Sequence, residues 1–329
     1  MSHVTGCQKI RVPAAVIMVN WNSPRDTIES IESTLEIAPT DKVIVVVDNN
    51  SADLSADTIY NHFFKNGTSI LSVDVCDISR ADSSEVPKII LIRNDKNAGY
   101  AGGNNIAIKY ILDHFSTDYI WLLNNDAVVD SSSLTEMLRL ADSNPRLGFV
   151  GSVIRYYDQP DTIQCFGGGF IYPFLGIAKL YLKNTDISKL LHIRTKTPDY
   201  IMGASLLVRT DLIQDIGLMS EDYFMYYEEG DWQLRARSAG WKLAVASSSF
   251  VFHKDSGSTA GAPHYFFYYL NRAAVIYSFK NYSRIRAMAT SISLLFIALI
   301  KGIRNPSAIK PSFLGIIDGL KGATGEKKW

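Results

Sequence analysis

The chain has 329 residues, its 33 lysines and arginines balance 33 aspartates and glutamates, and 47% of its residues are hydrophobic. This composition is typical of a globular protein with a real core, and it excludes a disordered chain, a collagen-like repeat and a disulfide-stapled miniprotein. Zero net charge argues against a nucleic-acid-binding protein, and three scattered cysteines without metal-ligand spacing favour a reducing compartment.

Short apolar runs alternate with helical patterns through the first half of the chain. The polar stretch 1–13 predicts no signal peptide, and a helical pattern begins at Pro24, a residue suited to a first helical turn. The predicted buried strands are residues 14–20, 43–47, 89–92, 119–123 and 149–154, and further helices are predicted at 54–64, 106–115 and 134–141. This alternation predicts βαβ units around a parallel sheet.

Two less regular segments interrupt the pattern. Residues 74–85 are polar and predict a surface insertion, and residues 158–198 predict a long irregular region, of the kind that often forms functional loops. Regular pattern returns at 201–208 and in a helix at 228–239. From Pro263 onward the chain is predicted to be helical, which divides it into an α/β domain, 1–262, and a C-terminal helical region, 263–329.

The C-terminal region combines apolar helical sequence with positive charge. Residues 271–329 hold ten basic and only two acidic residues, so an anionic partner is expected for this region. The longest apolar run is the thirteen residues 288–300, flanked by Arg284, Arg286, Lys301 and Arg304. Because a membrane span needs roughly 20 apolar residues, this run favours a helix in the membrane interface, with a buried core helix as an equal alternative.

Asparagine and aspartate recur where the predicted strands end. They occur in Asn20-Trp21-Asn22, in Asp48-Asn49-Asn50-Ser51, between Asn94 and Asn105, and in Asn124-Asn125-Asp126. Turn chemistry explains any one of these groups, but four in succession indicate a ligand-binding edge, because open α/β sheets bind ligands at the carboxyl ends of their strands.

Asp126 and His253 are candidate metal ligands. A single carboxylate at a strand end suits Mg2+ or Mn2+ held mainly through substrate phosphates, and His253 follows a predicted strand and precedes a Gly/Ser loop. The glycine-rich segment 97–105 follows the third strand and has no Walker Lys-Ser/Thr pair. It either brings backbone N–H groups close to a phosphate or lets another chain segment pack tightly.

Three carboxylates stand among aromatic residues at the start of the helix predicted at 228–239. Helix N-terminal charge accounts for Glu228, and an i,i+4 pair with Arg235 accounts for Asp231. Three acids beside Tyr226, Tyr227 and Trp232 exceed what capping needs. A carboxylate held among aromatic rings has a raised pKa and is suited to act as a general base.

The order of these motifs resembles glycosyltransferase family 2, and within it bacterial rhamnosyltransferases of surface-polysaccharide assembly. The resemblance extends from about residue 14 to residue 258 and rests on Val19–Asn22, Val47–Ser51, Asn97–Asn104, Leu122–Asp126, Met202–Ala204, Tyr226–Trp232, Trp241 and His253. It implies a GT-A nucleotide-diphospho-sugar transferase fold of α/β class over 1–262, an inverting mechanism and a divalent metal, Mg2+ or Mn2+.

The resemblance also implies roles for single residues. Asp48 would read the base, and Asp126 with His253 would hold the metal, although only Asp126 keeps a carboxylate where many relatives carry Asp-x-Asp. Glu229, in place of an aspartate, would be the general base. The further donor-binding residues implied are Asn20, Asn22, Asn50, Gly99, Gly102, Asn104, Asn124, Asn125 and Gly203, and the acceptor-binding residues are Tyr227, Glu228, Asp231 and Trp232.

The chain lacks the Gln-x-x-Arg-Trp motif of processive relatives, which favours transfer of a single sugar. The expected donor is dTDP-rhamnose, with a UDP-hexose as the alternative. The expected acceptor is a saccharide or a polyprenyl-diphosphate-linked glycan at the cytoplasmic membrane face. Homo-oligomerisation is the competing use of the C-terminal helices. A sugar-phosphate nucleotidyltransferase and a non-catalytic nucleotide-sugar-binding protein remain as other classes, and no nucleic-acid partner is expected.

Overall fold

A mixed β-sheet organises the chain in a computed structural model that describes residues 9–80, 87–254 and 263–327. The strands are β1 (Ile10–Arg11), β2 (Ala15–Asn20), β3 (Val43–Asp48), β4 (Ile70–Asp74), β5 (Ile89–Arg93), β6 (Phe115–Ser116), β7 (Tyr119–Leu123), β8 (Ala127–Val129), β9 (Leu147–Tyr156), β10 (Thr162–Phe166), β11 (Gly168–Tyr172), β12 (Ile177–Leu180), β13 (Thr185–Asp186), β14 (Tyr200–Ile201), β15 (Ser205–Arg209) and β16 (Lys242–His253).

Nine α-helices are assigned within the described residues. They are α1 (Pro24–Glu36), α2 (Ser55–Lys65), α3 (Gly99–His114), α4 (Ser133–Asp142), α5 (Thr210–Ile216), α6 (Glu228–Ser238), α7 (Pro263–Asn281), α8 (Arg284–Arg304) and α9 (Ile309–Leu320). Short 3-10 helices occupy Val75–Arg80, Ile187–His192 and Pro306–Ala308.

The large sheet has the strand order β13-β10-β9-β15-β7-β2-β3-β5-β4, with β16 alongside β9 and β8 alongside β16. The block of β7, β2, β3, β5 and β4 is parallel, which confirms the predicted βαβ units. The strands β15, β10 and β13 join antiparallel beyond β7, and β16 runs parallel to β9. The carboxyl ends of β2, β3 and β7 therefore meet at one edge.

Helices cover both faces of this sheet, which explains why its central strands are apolar at successive positions. Val45 and Val47 of β3 pack on one face with α3, α5 and α6, whereas Ile44 and Val46 pack on the other with α1, α2 and α4. Every residue of β3 is buried. The sheet is thus the core that holds the strand ends in place.

The structure corrects two sequence expectations. Helix α3 begins at Gly99, so most of the glycine-rich segment is helix, where the low helix propensity of glycine had predicted a start at 106. The region 158–198 contains β10 to β13 and a 3-10 helix, because strands of two to five residues leave little periodicity in the sequence. The segment predicted as an insertion includes residues 81–86, which lie outside the described residues.

Three helices occupy most of the C-terminal region, as predicted, and α7 packs closely on α9. A Cβ atom on Gly315 would lie 2.2 Å from the Tyr268 carbonyl oxygen, so glycine permits this approach. Helix α8 has 21 residues and is one-third buried, and by length and composition it is able to cross a membrane. The apolar run 288–300 alone is too short to span a membrane, as predicted, but the whole helix α8 is long enough.

Candidate active site

Polar side chains at the ends of β2 and β3 form one hydrogen-bonded group. The Asn20 side-chain amide donates to Asp48 Oδ1 over 2.7 Å and to Ser51 Oγ over 3.1 Å. The Ser51 hydroxyl donates to the same Asp48 oxygen over 2.7 Å. Asp48 is only 5% exposed, so these donors hold its carboxylate in a fixed orientation at the edge of the sheet.

The loops that follow β2 and β3 are also joined to each other. Asn22 and Asn50 have positive φ angles of 54° and 59°, a conformation that asparagine tolerates better than most residues. The Asn22 N–H donates to Ser51 Oγ over 2.9 Å, and the Asn22 side-chain oxygen accepts from the Ala52 N–H over 2.8 Å. Ser51 connects both loops, although the sequence analysis assigned it no role.

Asp126 and His253 meet although 126 residues separate them in the chain, because β16 pairs with β8 and places His253 opposite Ala127. Asp126 Oδ1 lies 3.0 Å from His253 Nε2. His253 Nδ1 lies 3.0 Å from Gln164 Oε1, which orients the ring. Burial alone would raise the pKa of Asp126, but the hydrogen bond and charge of His253 outweigh it and hold that pKa below its usual value.

This pair fits a divalent metal. Two donor atoms at right angles around an ion, each about 2.1 Å from it, lie about 3 Å apart, which is the separation seen between Asp126 and His253. Within the described ranges, no group of three or more His, Cys, Asp or Glu side chains has a metal-binding arrangement. An ion held by these two side chains would therefore take its other ligands from a bound diphosphate and water.

Asn124 and Asn125 connect the metal pair to the end of β2. The Asn124 amide nitrogen lies 3.2 Å from His253 Nε2. The Asn125 amide donates to Thr27 Oγ1 over 3.0 Å, and Thr27 in turn donates to Asn20 Oδ1 over 2.7 Å. These contacts bring six predicted site residues to one edge of the sheet: Asn20, Asp48, Asn124, Asn125, Asp126 and His253.

The glycine-rich start of α3 allows other parts of the chain to pack tightly against it, which is one of the two uses predicted for it. Gly99 has a φ of +71°, and a Cβ atom there would lie 2.2 Å from the Phe224 carbonyl oxygen. A Cβ atom on Gly102 would lie 2.6 Å from Ala98 Cβ, and the buried Asn104 side chain donates to the Tyr100 carbonyl within α3. The structure thus shows packing contacts for Gly99, Gly102 and Asn104, and their contact with a nucleotide stays a prediction.

Gly203 binds Glu229 and Tyr100 at the same time. Its N–H donates to Glu229 Oε1 over 3.1 Å, and its carbonyl accepts the Tyr100 hydroxyl over 2.9 Å. A Cβ atom on Gly203 would lie 2.3 Å from the Tyr100 hydroxyl oxygen and 2.7 Å from Glu229 Oε1. Only glycine therefore fits here, and the role of Tyr100 was missed because its partner is 103 residues away.

Of the two neighbouring glutamates, Glu228 is buried and Glu229 is half-buried. Burial raises the pKa of Glu229. Burial, and then the charge of Glu229, raises the pKa of Glu228 well above its usual value. Glu228 is 2% exposed, and its Oε2 atom has no hydrogen-bond partner among the described residues.

The segment before these glutamates has an unusual backbone. Phe224, Tyr226 and Tyr227 have positive φ angles of 66°, 70° and 67°. Left-handed backbone at non-glycine residues costs on the order of 1–3 kcal/mol each, and such residues concentrate at functional sites. The Tyr227 hydroxyl donates to the Gly176 carbonyl over 2.9 Å, which ties this segment to the turn between β11 and β12.

Asp231 and Trp232, which were predicted to contact the acceptor, are buried and bound to other parts of the fold. Asp231 is 2% exposed and accepts hydrogen bonds from Tyr223, Asn281 and Arg235. Trp232 is fully buried, packs edge-on against a core phenylalanine, and donates its indole N–H to a backbone carbonyl. The helical period of α6 turns both side chains into the interior, which their sequence neighbourhood did not reveal.

Sequence comparisons match the chain to sugar-transferring proteins. A family model described as glycosyltransferase like family 2 matches residues 12–274. The low-salt glycan biosynthesis hexosyltransferase Agl10 of Haloferax volcanii is 22% identical over 238 residues, which cover 70% of this chain and 75% of that protein. The rhamnosyltransferase WbbL of Escherichia coli K12 is 25% identical over 165 residues, 47% of this chain and 60% of that protein.

Solved structures share the fold. The mannosyltransferase PcManGT from Pyrobaculum calidifontis, solved with GDP-Man and Mn2+, has a TM-score of 0.56 at 12% identity and covers 95% of this chain and 76% of its own. GalNAc-T7, solved with UDP, GalNAc and Mn2+, has a TM-score of 0.55 at 13% identity, over 74% of this chain and 44% of that one. The predicted GT-A fold is confirmed.

Proposed function

The chain belongs to glycosyltransferase family 2, and from that premise we propose that it transfers one sugar, with inversion, from a nucleotide-diphospho-sugar to an acceptor hydroxyl. The observation that supports this most is the meeting of Asp126 and His253 at the sheet edge that also presents Asp48. A nucleotide-reading carboxylate and a metal-binding pair at one edge suit a nucleoside diphosphate. The half-buried Glu229 supplies the base for the acceptor.

The donor we propose is dTDP-rhamnose, with a UDP-hexose as the alternative. The relative WbbL is a rhamnosyltransferase, whereas the relative Agl10 is a hexosyltransferase. Asp48 would accept hydrogen bonds from a pyrimidine base, the Asn20 amide lies beside it, and Asn22 is joined to it through Ser51. The sugar itself is left to the experiment below.

Asp126 and His253 would hold Mg2+ or Mn2+, and the two solved relatives described above were both obtained with Mn2+. A divalent ion held there would supply positive charge that offsets the charge developing on the leaving diphosphate. Gln164 keeps the His253 ring in place by its contact with Nδ1. The amide of Asn124 lies next to the same pair and is suited to donate to a phosphate oxygen.

Glu229 takes the proton from the acceptor hydroxyl. The Gly203 N–H holds one of its carboxylate oxygens, which fixes the side chain and leaves the other oxygen for the proton. Burial raises the pKa of Glu229, so its ionised form is a stronger base than an exposed carboxylate. The activated hydroxyl then attacks the anomeric carbon as the bond to the diphosphate oxygen breaks.

The C-terminal helices, we propose, dock the enzyme on an anionic membrane surface, where a lipid-linked acceptor lies. One face of α8 packs on the protein, yet the opposite face exposes Ile285 (85%), Phe296 (62%) and Ile303 (82%). A helix that is apolar on all sides is typical of an apolar environment. Arg284, Arg286, Lys301 and Arg304 stand at its ends, where each basic residue near anionic lipid contributes about 1 kcal/mol.

A thermal-shift screen of nucleotide sugars, with and without Mn2+ or Mg2+, tests the donor assignment. A bound donor raises the unfolding temperature by mass action, and we expect the largest rise with a dTDP- or UDP-sugar and metal together. Release of nucleoside diphosphate that requires both donor and acceptor would exclude a binding protein. Release of pyrophosphate instead would show a nucleotidyltransferase and contradict the proposal.

Cosedimentation with anionic liposomes tests membrane docking. Ile292→Asp combined with Phe296→Asp places two charges on the exposed face of α8 and should reduce the bound fraction several-fold. Phe64→Asp is the matched control, because Phe64 on α2 is equally exposed at 61%. Equal binding by the parent and both variants would contradict docking through α8. A concentration-dependent dimer that the α8 variant abolishes would show that this face serves oligomerisation instead.

A further inference from the structure

Helix α7 lies along the left-handed segment that precedes the two glutamates. Three aromatic rings of α7 each contact one ring of this segment, with ring centroids 4.7 to 5.6 Å apart. The pairs are Tyr269 with Phe224, Phe266 with Tyr226, and Tyr277 with Tyr227. Left-handed backbone at non-glycine residues persists only where the surrounding structure holds it, and α7 contacts all three such residues of this segment.

Arg272 lies on the same helix, and its charge is buried. The residue is 1% exposed, and its guanidinium carbon lies 4.8 Å from the centre of the Tyr269 ring and 5.3 Å from that of Tyr268. Its Nη2 atom donates to the Tyr223 carbonyl over 3.2 Å, whereas its Nε atom has no hydrogen-bond partner among the described residues. A buried guanidinium with an unpaired N–H is costly to the fold, so its presence calls for a reason beyond stability.

Hydrogen bonds connect the left-handed segment to the Glu229 carboxylate. The Phe224 carbonyl accepts the Tyr100 N–H over 2.8 Å. The Tyr100 hydroxyl donates to the Gly203 carbonyl over 2.9 Å, and the Gly203 N–H donates to Glu229 Oε1 over 3.1 Å. A shift of Phe224 would therefore pass through two hydrogen-bonded residues to the carboxylate of the proposed base.

A second connection joins α7 to the first turn of α6, the helix that carries the two glutamates. Asp231 Oδ1 in that turn accepts the Asn281 side-chain amide and the Tyr223 hydroxyl, each over 2.9 Å. Tyr223 thus offers its carbonyl to Arg272 and its hydroxyl to Asp231. Both ends of the stretch 223–231 are therefore fixed by side chains of α7.

We propose that Arg272 is a positioning residue for the transfer reaction, which holds the left-handed segment and thereby keeps the Glu229 carboxylate where it receives the acceptor proton. Because it names what positions the proposed base, this role rests on the proposed function. It accounts for the burial of a cation beside a backbone carbonyl of this segment. It also makes α7 part of the catalytic unit, whereas α8 carries the face that we assign to the membrane.

Kinetics on the full chain test this role. The donor probes are dTDP-rhamnose and UDP-glucose with Mn2+, and water serves as acceptor, since the same base activates it. The rate of nucleoside diphosphate release is divided by the binding stoichiometry of dTDP or UDP, so that unfolded protein does not count. Arg272→Met should lower this rate at saturating donor by at least about tenfold, because misplaced catalytic groups react slowly, while nucleotide affinity stays nearly unchanged.

Two arginine variants control this result. Arg272→Lys keeps a cation beside the two rings and one donor for the Tyr223 carbonyl, so it should recover part of the rate. Arg139→Met removes an arginine that is 74% exposed on α4 and should behave as the parent does.

Tyr269 provides a second test if Arg272→Met does not fold. Tyr269→Leu removes the ring that stacks on Phe224 and should lower the rate several-fold. Tyr269→Phe is the matched control, because it keeps the ring and loses only the hydroxyl that accepts the Lys327 N–H, so it should keep the parental rate.

Hydrogen exchange provides a measurement that needs no donor. Arg272→Met should speed exchange of the Tyr100 and Gly203 amides, which bond to Phe224 and Glu229, and leave exchange in β3 unchanged. Uniformly faster exchange, or a parental rate per nucleotide-binding site with parental exchange at both amides, would overturn the proposal. If the parent binds neither dTDP nor UDP, the proposed function fails, and the exchange rates alone decide whether Arg272 holds the segment.

Discussion

The proposed donor side of the site (Asn20, Asp48 and Ser51) is held by side-chain hydrogen bonds, whereas the proposed acceptor side (residues 224–229) is shaped by backbone strain and burial. On the donor side, the Asp48 carboxylate already has its partners at 2.7 Å. On the acceptor side, three residues have left-handed backbone, and one oxygen of Glu228 has no partner within the described part of the chain.

We infer from this difference that the donor side mainly binds the donor and that the acceptor side mainly carries out the chemical step. A preorganised polar group loses little entropy when a ligand arrives, so the donor side is suited to affinity. Buried carboxylates with raised pKa values and a strained backbone are costly to the fold and suited to proton transfer. Changes on the donor side should therefore alter donor affinity, and changes on the acceptor side should alter the rate.

The largest effect is expected from Glu229→Gln. Loss of the base should lower the transfer rate at saturating donor by about 1000-fold, while the dissociation constant of the donor stays nearly unchanged. Steady-state kinetics and calorimetry on the same preparation provide both numbers, with the exposed Glu36→Gln as control. Equal loss of transfer and donor binding would remove Glu229 from the role of base.

Gly203→Ala should have the next largest effect, because it disturbs the acceptor side without removing a functional group. The new methyl group would stand 2.7 Å from Glu229 Oε1 and must displace that carboxylate. A misplacement of about 1 Å lowers a rate by about 100-fold. Adding Tyr100→Phe removes the hydroxyl that crowds the same methyl group, so the double variant should recover part of the rate. Full activity of Gly203→Ala alone would show that transfer does not depend on the position that Gly203 gives to the Glu229 carboxylate.

Asp48→Asn tests the donor side and should weaken donor binding by about tenfold, with a smaller change in rate at saturating donor. The reason is that a carboxylate already held by two donors is replaced by an amide that presents one more donor to them. Donor titrations of this variant and of the exposed control Asp41→Asn would check it. A pure rate defect with parental affinity would contradict the division between the two sides.

Sequence predicted those features of the site that neighbouring residues along the chain encode. Five apolar runs predicted β2, β3, β5, β7 and β9, because strands buried on both faces need apolar residues throughout. The polar residues that follow these strands were predicted as site residues because they mark the point where each strand leaves the core. Asp126 and His253 were candidate metal ligands because each follows a predicted strand, the family resemblance paired them, and in the structure they lie 3.0 Å apart.

Contacts between distant segments escaped prediction. Gln164 orients His253 from 89 residues away, and nothing in its own neighbourhood marks it. Asp231 and Trp232 follow Glu229 so closely that composition alone did not separate them from the site. The start of α3 at Gly99 was missed because a close contact with residue 224, rather than helix propensity, accounts for this glycine.

The smallest effect is expected in stability and concerns Glu228. Its pKa is raised in the folded state, so its contribution to stability is present below the pKa of the unfolded chain and is lost as the pH rises toward the folded value. Glutamine does not titrate. The free energy of unfolding of Glu228→Gln should therefore improve relative to that of the parent as the pH rises from below to above the usual pKa of a glutamate. Urea denaturation across this range measures it, and a difference that does not depend on pH would show that Glu228 is ionised in the fold.

We propose a single displacement at the anomeric carbon, in which Glu229 would accept the proton of the acceptor and Asp126 with His253 would hold a metal beside the leaving diphosphate. The anomeric configuration of the product, compared by NMR with that of the donor identified in the thermal-shift screen, tests this most directly. A single displacement predicts the inverted configuration in the first product formed. A retained configuration would contradict it, because retention needs a second step that a lone base at Glu229 does not provide.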